Sequence, residues 1–160
     1  MLELTAPDVA RHAAWLAAHR EWGIGAHEDG FAVGPGDEVD SAEGFAAWVA
    51  HLHALPAARV WWIVDGDAVL GGIVLRTGTD AALLGHVGYG IRPSARGRGI
   101  ATWALSEVLR HAREAGLRRL LLVCADDNVA SGRTIQRCGG VLEGVADHGR
   151  GLERRYWVEL

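Results

Sequence analysis

The stretch of sequence that decides the fold reads Gly85-His86-Val87-Gly88-Tyr89-Gly90-Ile91-Arg92-Pro93-Ser94-Ala95-Arg96-Gly97-Arg98-Gly99-Ile100-Ala101-Thr102. Its first half predicts a strand that ends at Ile91, because Pro93 cannot continue a hydrogen-bonded ladder. A glycine-containing loop then leads directly into a segment with helical periodicity. Backbone N–H groups in the first turn of a helix have no partner within the helix and lie at the positive end of its dipole. This junction therefore predicts an anion site that suits a diphosphate.

The residues of the loop itself support the same interpretation. Gly97 and Gly99 lack the Cβ atoms that would keep a phosphate away from the backbone N–H groups. Arg96 and Arg98 add positive charge beside them. A Gly-x-Gly alone is weak evidence, since a turn glycine followed by a helix N-cap gives the same pattern. The combination of two arginines, a preceding strand and a following amphipathic helix favours the binding loop.

The segments on either side of the junction complete an α/β pattern. Asp65-Gly66-Asp67 between two apolar runs predicts a hairpin. The antiparallel strands then lead into a βαβ unit, which needs a parallel neighbour and a right-handed crossover. We predict one mixed α/β domain over residues 1–160, with the order βααβββαβαββ. The predicted strands cover residues 2–4, 60–64, 68–75, 83–91, 120–124, 141–145 and 155–159, and the predicted helices cover residues 5–20, 41–55, 99–115 and 129–137.

The first of these helices has its own start signal. Thr5 is the predicted N-cap, and Pro7 lies in the first turn. The predicted apolar face consists of Val9, His12, Ala13 and Leu16.

Two motifs carry a resemblance to a known family. Arg96, Gly99 and Ala101 match the pattern R/Q-x-x-G-x-G/A. Further along, Asn128-Val129-Ala130-Ser131 is followed by Arg137-Cys138-Gly139-Gly140, which is similar to an N-x-x-S/A helix that ends in glycine. One helix and one apolar strand separate the two motifs. Over about residues 60–145 the chain thus resembles the GNAT superfamily of N-acetyltransferases.

The resemblance implies a fold, a co-substrate and a set of binding residues. The fold is a GNAT-like mixed sheet whose central parallel strands splay apart, and pantetheine of acetyl-CoA inserts between them. Acetyl-CoA would donate its acetyl group to a primary amine that attacks directly in a ternary complex. The implied contacts are Tyr89, Gly90 and Ile91 for the pantetheine amides, Arg96, Gly97, Arg98, Gly99, Ile100 and Ala101 for the pyrophosphate, and Asn128 and Ser131 for the pantetheine arm. For Asn128, a simple N-cap is the alternative.

The chain departs from the family where the leaving thiolate is protonated. Many members have a tyrosine seven residues after the asparagine, and this chain has Ile135. Cys138 and Ser131 share that face of the predicted helix and could donate the proton instead. The thiolate could also leave unassisted, since a thiol with a pKa of about 8.5 is a tolerable leaving group near neutral pH.

The attacking amine must lose a proton first, because a lysine-like amine has a pKa of about 10.4. His86 is the candidate base, since it lies on the strand that meets the cofactor and an unperturbed imidazole titrates near pH 6.5. A structural role for His86 is the alternative. Acidic residues of the long loop could attract a cationic acceptor, or could form an ordinary acidic surface. They are Glu28, Asp29, Asp37, Glu38 and Asp40.

Composition excludes several classes of protein. A hydrophobic share of 49% and a net charge of −4 indicate a globular chain without the basic surface that nucleic acid requires. No apolar run approaches the ~20 residues of a membrane span, and no signal peptide is evident, so we expect a cytoplasmic protein. Eight histidines without an H-E-x-x-H pattern predict no metal site, and Cys124 and Cys138 are expected to be free thiols. A homodimer stays possible.

Two other functions compete with acetyl transfer. An acyl-CoA-binding sensor could keep the cofactor loop and lack catalysis, as Ile135 allows. A nicotinamide-dinucleotide enzyme is less favoured, because the G-x-G-x-x-G pattern starting at Gly97 has Thr102 in its last position.

Overall fold

The computed structural model describes residues 1–23 and 30–160. The chain forms two compact units. Unit 1 contains Met1–Val74 and Tyr89–Ile100, and unit 2 contains Leu75–Gly88 and Ala101–Leu160. A single domain over residues 1–160 stays a prediction, and each unit is described by itself below.

A four-stranded sheet and two helices form most of unit 1. The sheet has the order β1-β2-β3-β4, and β1 runs antiparallel to β2 with Leu2 opposite Asp65. Gly66, with φ of 58°, lies in the tight turn between β2 and β3, so the predicted hairpin is confirmed. The elements are β1 (Leu2–Thr5), α1 (His12–Glu21), α2 (Ala42–His53), β2 (Ala58–Asp65), β3 (Ala68–Arg76) and β4 (Val87–Ile91). The last two residues of β3 and the first two of β4 belong to unit 2.

Aromatic side chains form the centre of the unit 1 core. Trp15 lies with its ring centroid 4.7 Å from that of Trp48 and 5.3 Å from those of Phe31 and Phe45. Trp62 joins the same cluster from β2, and all five side chains are buried. Burial of rings that each remove roughly 150–250 Å² from water holds α1 and α2 on the sheet.

The predicted start of the first helix was wrong. Thr5 is the last residue of β1, opposite Trp62. Asp8 is the actual cap: its Oδ1 accepts from the Ala10 N–H at 2.9 Å and begins a short 3-10 turn ahead of α1. The buried residues of α1 are Trp15 and Ala18 rather than the predicted Val9, His12, Ala13 and Leu16, because burying a large indole stabilises the fold more than burying smaller side chains.

Unit 2 contains an antiparallel three-stranded sheet with the order β5-β7-β6. Leu121 of β5 lies opposite Trp157 of β7, and the pairing of β6 with β7 shifts register between Leu142 and Gly144. The elements are α3 (Ala81–Leu84), β5 (Arg119–Ala125), α5 (Val129–Arg137), β6 (Val141–Asp147), β7 (Leu152–Glu159) and α4 (Ile100–Glu114), whose first residue belongs to unit 1.

The strand predicted over residues 83–91 was wrong in its first part. Ala81–Leu84 forms a single helical turn, in which the Leu84 N–H donates to the Asp80 carbonyl at 2.8 Å. Gly85 ends this turn with φ of 82°, and the strand begins only at Val87. An apolar pair such as Leu83-Leu84 fits a short strand or a helical turn equally well.

Candidate functional site

The loop between β4 and α4 combines an unusual backbone with open space. Gly97 and Gly99 both have φ of 75°, a conformation that side chains with a Cβ rarely adopt. Apart from its two neighbours in the chain, a Cβ added at either position would meet no heavy atom of the described residues within 4 Å. The protein itself therefore leaves room on this side of the loop. The N–H groups at the start of α4 meet the requirements of a phosphate site.

The two arginines of this loop have different environments. Arg96 folds back, and its Nε donates to the Ile91 carbonyl at 2.9 Å, so it also ties the loop to the end of β4. Arg98 is exposed and lies close enough to Asp65 to affect it. The pKa of the Asp65 carboxyl is below its ordinary value, chiefly through a hydrogen bond from the N-terminal ammonium and to a smaller extent through the charge of Arg98.

The strand ahead of the loop is the last one of its sheet. In the order β1-β2-β3-β4, β4 has a ladder partner on one side only among the described strands. Tyr89 and Gly90 are half-buried, and Ile91 is buried. A terminal strand of this kind can accept an extended ligand as a further strand.

In unit 2, Asn128 is the N-cap of α5. Its Oδ1 accepts from the Ser131 N–H at 3.1 Å, which is the alternative role considered for this residue. The Nδ2 group of the same amide is a donor that this bond does not use. The Ser131 hydroxyl forms a hydrogen bond with the Cys124 thiol, whose pKa is raised chiefly by burial.

The second candidate proton donor has other partners. Cys138 Sγ lies 3.6 Å from the Thr102 carbonyl oxygen and 3.6 Å from Ser106 Oγ, both on α4. Burial raises the pKa of the Cys138 thiol. Ile135 is buried at 1% exposure in the position where many family members have tyrosine. Ser131 and Cys138 are thus held by different neighbours, although the sequence places them on one helix face.

His86 lies just before β4 and is fixed by β5. Its backbone N–H donates to the Leu121 carbonyl at 2.7 Å, and its Nδ1 accepts from the Leu121 N–H at 2.8 Å. A ring that accepts at Nδ1 carries its proton on Nε2 when it is neutral. Neither nitrogen of that tautomer can take up a proton unless the Leu121 bond breaks.

The titration of His86 agrees with this arrangement. Burial is the main influence on the pKa of the imidazole and lowers it. A backbone carbonyl that accepted a hydrogen bond from the ring would raise the pKa, because it would stabilise the charged imidazolium. The Leu121 atom that lies 2.8 Å from Nδ1 is instead the amide nitrogen, whose N–H donates to the neutral ring. The base role stays a prediction, and this hydrogen bond argues against it.

The acidic residues of the long loop mainly bind their own segment. Asp37 Oδ2 accepts from the Gly34 N–H at 2.7 Å, and Asp40 forms an ion pair with Arg20 at 2.6 Å. Glu38 Oε1 accepts from the N–H groups of Asp40 and Ser41 at 2.7 and 2.9 Å, while Glu38 Oε2 accepts from the Ser41 hydroxyl. Glu28 and Asp29 lie outside the described residues.

Sequence reasoning missed one carboxylate beside the loop. Glu21, the last residue of α1, accepts from Arg92 Nε and from the Ser94 N–H, each at 2.5 Å. An acidic residue at the C-terminal end of a helix opposes the helix dipole. That unfavourable position was the signal in the sequence that could have drawn attention to Glu21.

Among residues 1–23 and 30–160, no group of three or more histidine, cysteine, aspartate or glutamate side chains could hold a metal ion. Within the same residues, each helix is too short or too polar to cross a bilayer.

Comparison with known proteins identifies the family. Residues 2–141 match the acetyltransferase (GNAT) domain. The chain belongs to the GNAT acetyltransferase family. A ribosomal-protein-serine acetyltransferase of Escherichia coli (strain K12) is 29% identical over 106 residues, which are 66% of this chain and 59% of the relative. The match thus spans about three-fifths of the length of that relative.

Solved structures show the same fold. RimL, a ribosomal alpha-N-protein acetyltransferase in complex with coenzyme A, superposes with a TM-score of 0.75 at 22% identity, covering 99% of this chain and 94% of that one. MccE, a microcin self immunity acetyltransferase in complex with acetyl-CoA and AMP, gives 0.74 at 18% identity, with coverage of 99% and 92%. A Salmonella typhimurium enzyme that modifies the N-terminal serine of a 50S ribosomal subunit protein gives 0.70 at 23% identity, with coverage of 99% and 95%. The predicted GNAT-like α/β fold is confirmed.

Proposed function

We propose that this GNAT acetyltransferase transfers the acetyl group of acetyl-CoA to a primary amine by direct attack in a ternary complex. Acetyl-CoA supplies a thioester carbonyl as the electrophile and a thiolate as the leaving group. The observation that supports this proposal best is the loop with Gly97 and Gly99, where the backbone faces open space at the start of α4. A diphosphate is the ligand class that such a loop suits.

Each set of predicted binding residues keeps a defined task in this proposal. In unit 1, the N–H groups from Gly97 to Ile100 and the charges of Arg96 and Arg98 bind the pyrophosphate, and the backbone of Tyr89, Gly90 and Ile91 pairs with the pantetheine amides. In unit 2, Ala101 continues the first turn of α4, and Asn128 Nδ2 donates to a pantetheine carbonyl. Ser131 fixes the first turn of α5 beside it.

The bond between His86 and Leu121 bears on the choice of acceptor. With Nδ1 engaged, the ring cannot take a proton from an amine without losing that bond. A lysine amine, with a pKa of about 10.4, depends strongly on a base, whereas an α-amine with a pKa of about 7.7–8.0 is partly neutral at neutral pH. The Salmonella typhimurium relative modifies an N-terminal serine. We therefore propose a peptide α-amine as the acceptor.

Departure of the coenzyme A thiolate needs less assistance from the protein than deprotonation of the amine does. The Ser131 hydroxyl and the Cys138 thiol are both engaged by neighbouring groups, and Ile135 cannot donate a proton. An alkyl thiolate, whose conjugate acid has a pKa of about 8.5 in free cysteine, can leave without a donor near neutral pH. We propose unassisted departure: the C–S bond of the thioester breaks after the amine nitrogen bonds to the carbonyl carbon, and water takes the proton that the amine loses.

An amine panel tests this proposal directly. Release of coenzyme A thiol is measured with peptides that have a free N-terminus, with the same peptides blocked at the N-terminus but containing lysine, and without amine. The proposal expects turnover that depends on the amine and favours the free N-terminus. Thiol release that stays at the rate measured without protein, whichever amine is added, would support a non-catalytic acyl-CoA-binding protein instead. Preference for the lysine peptides would contradict the α-amine assignment.

A further inference from the structure

Both carboxylate oxygens of Glu21 accept hydrogen bonds from Arg92 and Ser94. These two residues lead into the loop at residues 96–99, the diphosphate loop. Its Oε1 accepts from the Ser94 N–H at 2.5 Å. Its Oε2 accepts from Arg92 Nε at 2.5 Å and from the Ser94 hydroxyl at 3.1 Å. The side chains of Glu21 and Arg92 are only 24% and 20% exposed, so water competes weakly for the bond between them, whereas Ser94 is exposed.

The position of Glu21 in α1 gives no reason for an acid. The last turn of this helix already carries His19 and Arg20, which suit the negative end of the helix dipole. A carboxylate at the final residue opposes that dipole, so its stabilising partners must come from outside the helix. Hydrogen bonds from the backbone and hydroxyl of Ser94, and then from Arg92, hold the pKa of the Glu21 carboxyl below its ordinary value.

One partner of Glu21, Arg92, is itself fixed on the sheet. The backbone N–H of Arg92 donates to the Leu70 carbonyl at 2.8 Å, and its Nη1 donates to the Val69 carbonyl at 3.2 Å. Ser94 belongs to the 3-10 turn Pro93–Ala95, whose early N–H groups lack partners within the turn. Glu21 supplies the missing acceptor for Ser94 and connects it to an arginine that β3 already holds.

Only two residues separate Ser94 from Gly97. A displacement of the 3-10 turn would therefore shift the backbone N–H groups of the loop by a similar distance. Hydrogen bonds to a phosphate are sensitive to changes of this size, since their length range is only a few tenths of an ångström. The turn must be held still for the loop to present its donors together.

We propose that Glu21 is a positioning residue for acetyl-CoA, which acts through Ser94 and Arg92 to hold the loop in the conformation that binds the diphosphate. This inference rests on the proposed binding of acetyl-CoA at this loop. Glu21 itself touches neither the cofactor nor the acceptor in this account.

The test compares Glu21→Gln with wild type and with a matched control. Glu114 is likewise the last residue of a helix, and its carboxylate lies 2.7 Å from Arg110 Nη1. Glu114→Gln therefore removes a comparable carboxylate charge. We expect Glu21→Gln to raise the Kd of coenzyme A and the KM of acetyl-CoA about 5- to 20-fold, with kcat changed less than twofold. Glu114→Gln should change neither value more than twofold.

A truncated donor separates positioning from general damage. S-acetylpantetheine has the thioester and the pantetheine arm but lacks the diphosphate. Its kcat/KM should differ less than twofold between wild type and Glu21→Gln. Equal losses with acetyl-CoA and S-acetylpantetheine, or an unchanged Kd for coenzyme A, would overturn the inference.

Two more variants keep the result interpretable. Glu21→Asp retains the charge but shortens the side chain, so we expect a loss of affinity for coenzyme A even if Glu21→Gln folds poorly. Gly99→Val tests the loop itself. If Gly99→Val binds coenzyme A as wild type does, the proposed site fails. If Gly99→Val loses affinity while both Glu21 variants keep it, only the role of Glu21 fails.

Discussion

The diphosphate loop and the acidic segment at residues 34–41 both stood out in the sequence, and they differ in what their polar groups contact. In the loop, Gly97 and Gly99 hold a left-handed backbone beside space that no described atom fills within 4 Å. In the acidic segment, Asp37 and Glu38 accept hydrogen bonds from backbone N–H groups of the same segment, and Asp40 forms an ion pair with Arg20.

The acidic segment shows that charged residues that cluster in a sequence can be engaged by their own surroundings. Carboxylates in a loop readily cap nearby N–H groups, and this satisfies them locally. The first N–H groups of a helix cannot be satisfied within the helix. His86 resembles the acidic segment in this respect, since its Nδ1 already has a partner in the Leu121 N–H.

The largest expected effect is that of Gly99→Val on cofactor binding. A branched side chain at φ of 75° strains the loop and fills the space beside its donors. The loss of two hydrogen bonds to a charged group would raise the Kd of coenzyme A by about 100-fold or more. Titration calorimetry measures this change. Gly149→Val is the control, because Gly149 also has a positive φ of 91° and open surroundings, far along the chain between β6 and β7. Equal losses in both variants would show that strain alone is responsible.

Arg96→Ala should have a somewhat smaller effect. Its guanidinium would lose contact with the diphosphate and also its bond to the Ile91 carbonyl. One hydrogen bond to a charged group corresponds to a change on the order of 10- to 100-fold in the Kd of coenzyme A. Arg110→Ala, which removes an exposed arginine from α4, should leave this Kd unchanged. An unchanged Kd for coenzyme A in Arg96→Ala would mean that Arg96 contributes only its hydrogen bond to the Ile91 carbonyl.

His86 variants separate a base from a structural contact. Asparagine places its Oδ1 at the same number of bonds from the backbone as Nδ1, so His86→Asn can still accept from Leu121 but cannot titrate. We expect His86→Asn to retain kcat/KM for the acceptor within about threefold, and His86→Ala to lower the melting temperature. A base would instead contribute roughly 10²–10⁴-fold, and both variants would lose it together with a pKa in the pH–rate profile.

The pH dependence of stability should follow the same arrangement. Burial lowers the pKa of His86 below the ordinary value of 6.5, so the folded state favours the neutral ring. The stabilisation is fully present above pH 6.5 and is lost as the pH falls towards the lowered value. The difference in melting temperature between wild type and His86→Ala should narrow accordingly in acid. A constant difference would contradict the lowered pKa of His86.

The smallest effect is expected in the acidic segment. Hydrogen bonds from Ser41 are the main cause that lowers the pKa of Glu38, so the charged form stabilises the start of α2 above pH 4.5 and loses this effect as the pH falls. Glu38→Gln should lower the melting temperature at pH 7 and change the KM of the acceptor less than twofold. A large increase in that KM would instead support a role of the acidic segment in binding the acceptor.

The sequence predicted the α4 junction well and the surroundings of the site less well. The loop is local, and its glycines, arginines and following helix lie within a dozen residues. The hairpin at Gly66 and the limits of α5 were likewise set by neighbouring residues. Glu21 and its partners lie more than 70 residues apart, and no local pattern indicates that contact. The hydrogen bond between the Leu121 N–H and His86 Nδ1 is also non-local. The sequence therefore indicates a base at His86 and gives no sign that Nδ1 is already engaged.

Thermal unfolding with added ligand tests the central claim most directly. A ligand that binds only the folded state stabilises it by about 2.7 kcal/mol at 100 times its Kd, which corresponds to a rise of roughly 5–10 °C for a chain of this size. We predict this rise with acetyl-CoA, no comparable rise with NAD at the same concentration, and a rise of at most about 1–2 °C with acetyl-CoA in Gly99→Val. Stabilisation by NAD equal to that by acetyl-CoA, or an undiminished shift in Gly99→Val, would contradict the assignment of this loop to the diphosphate of acetyl-CoA.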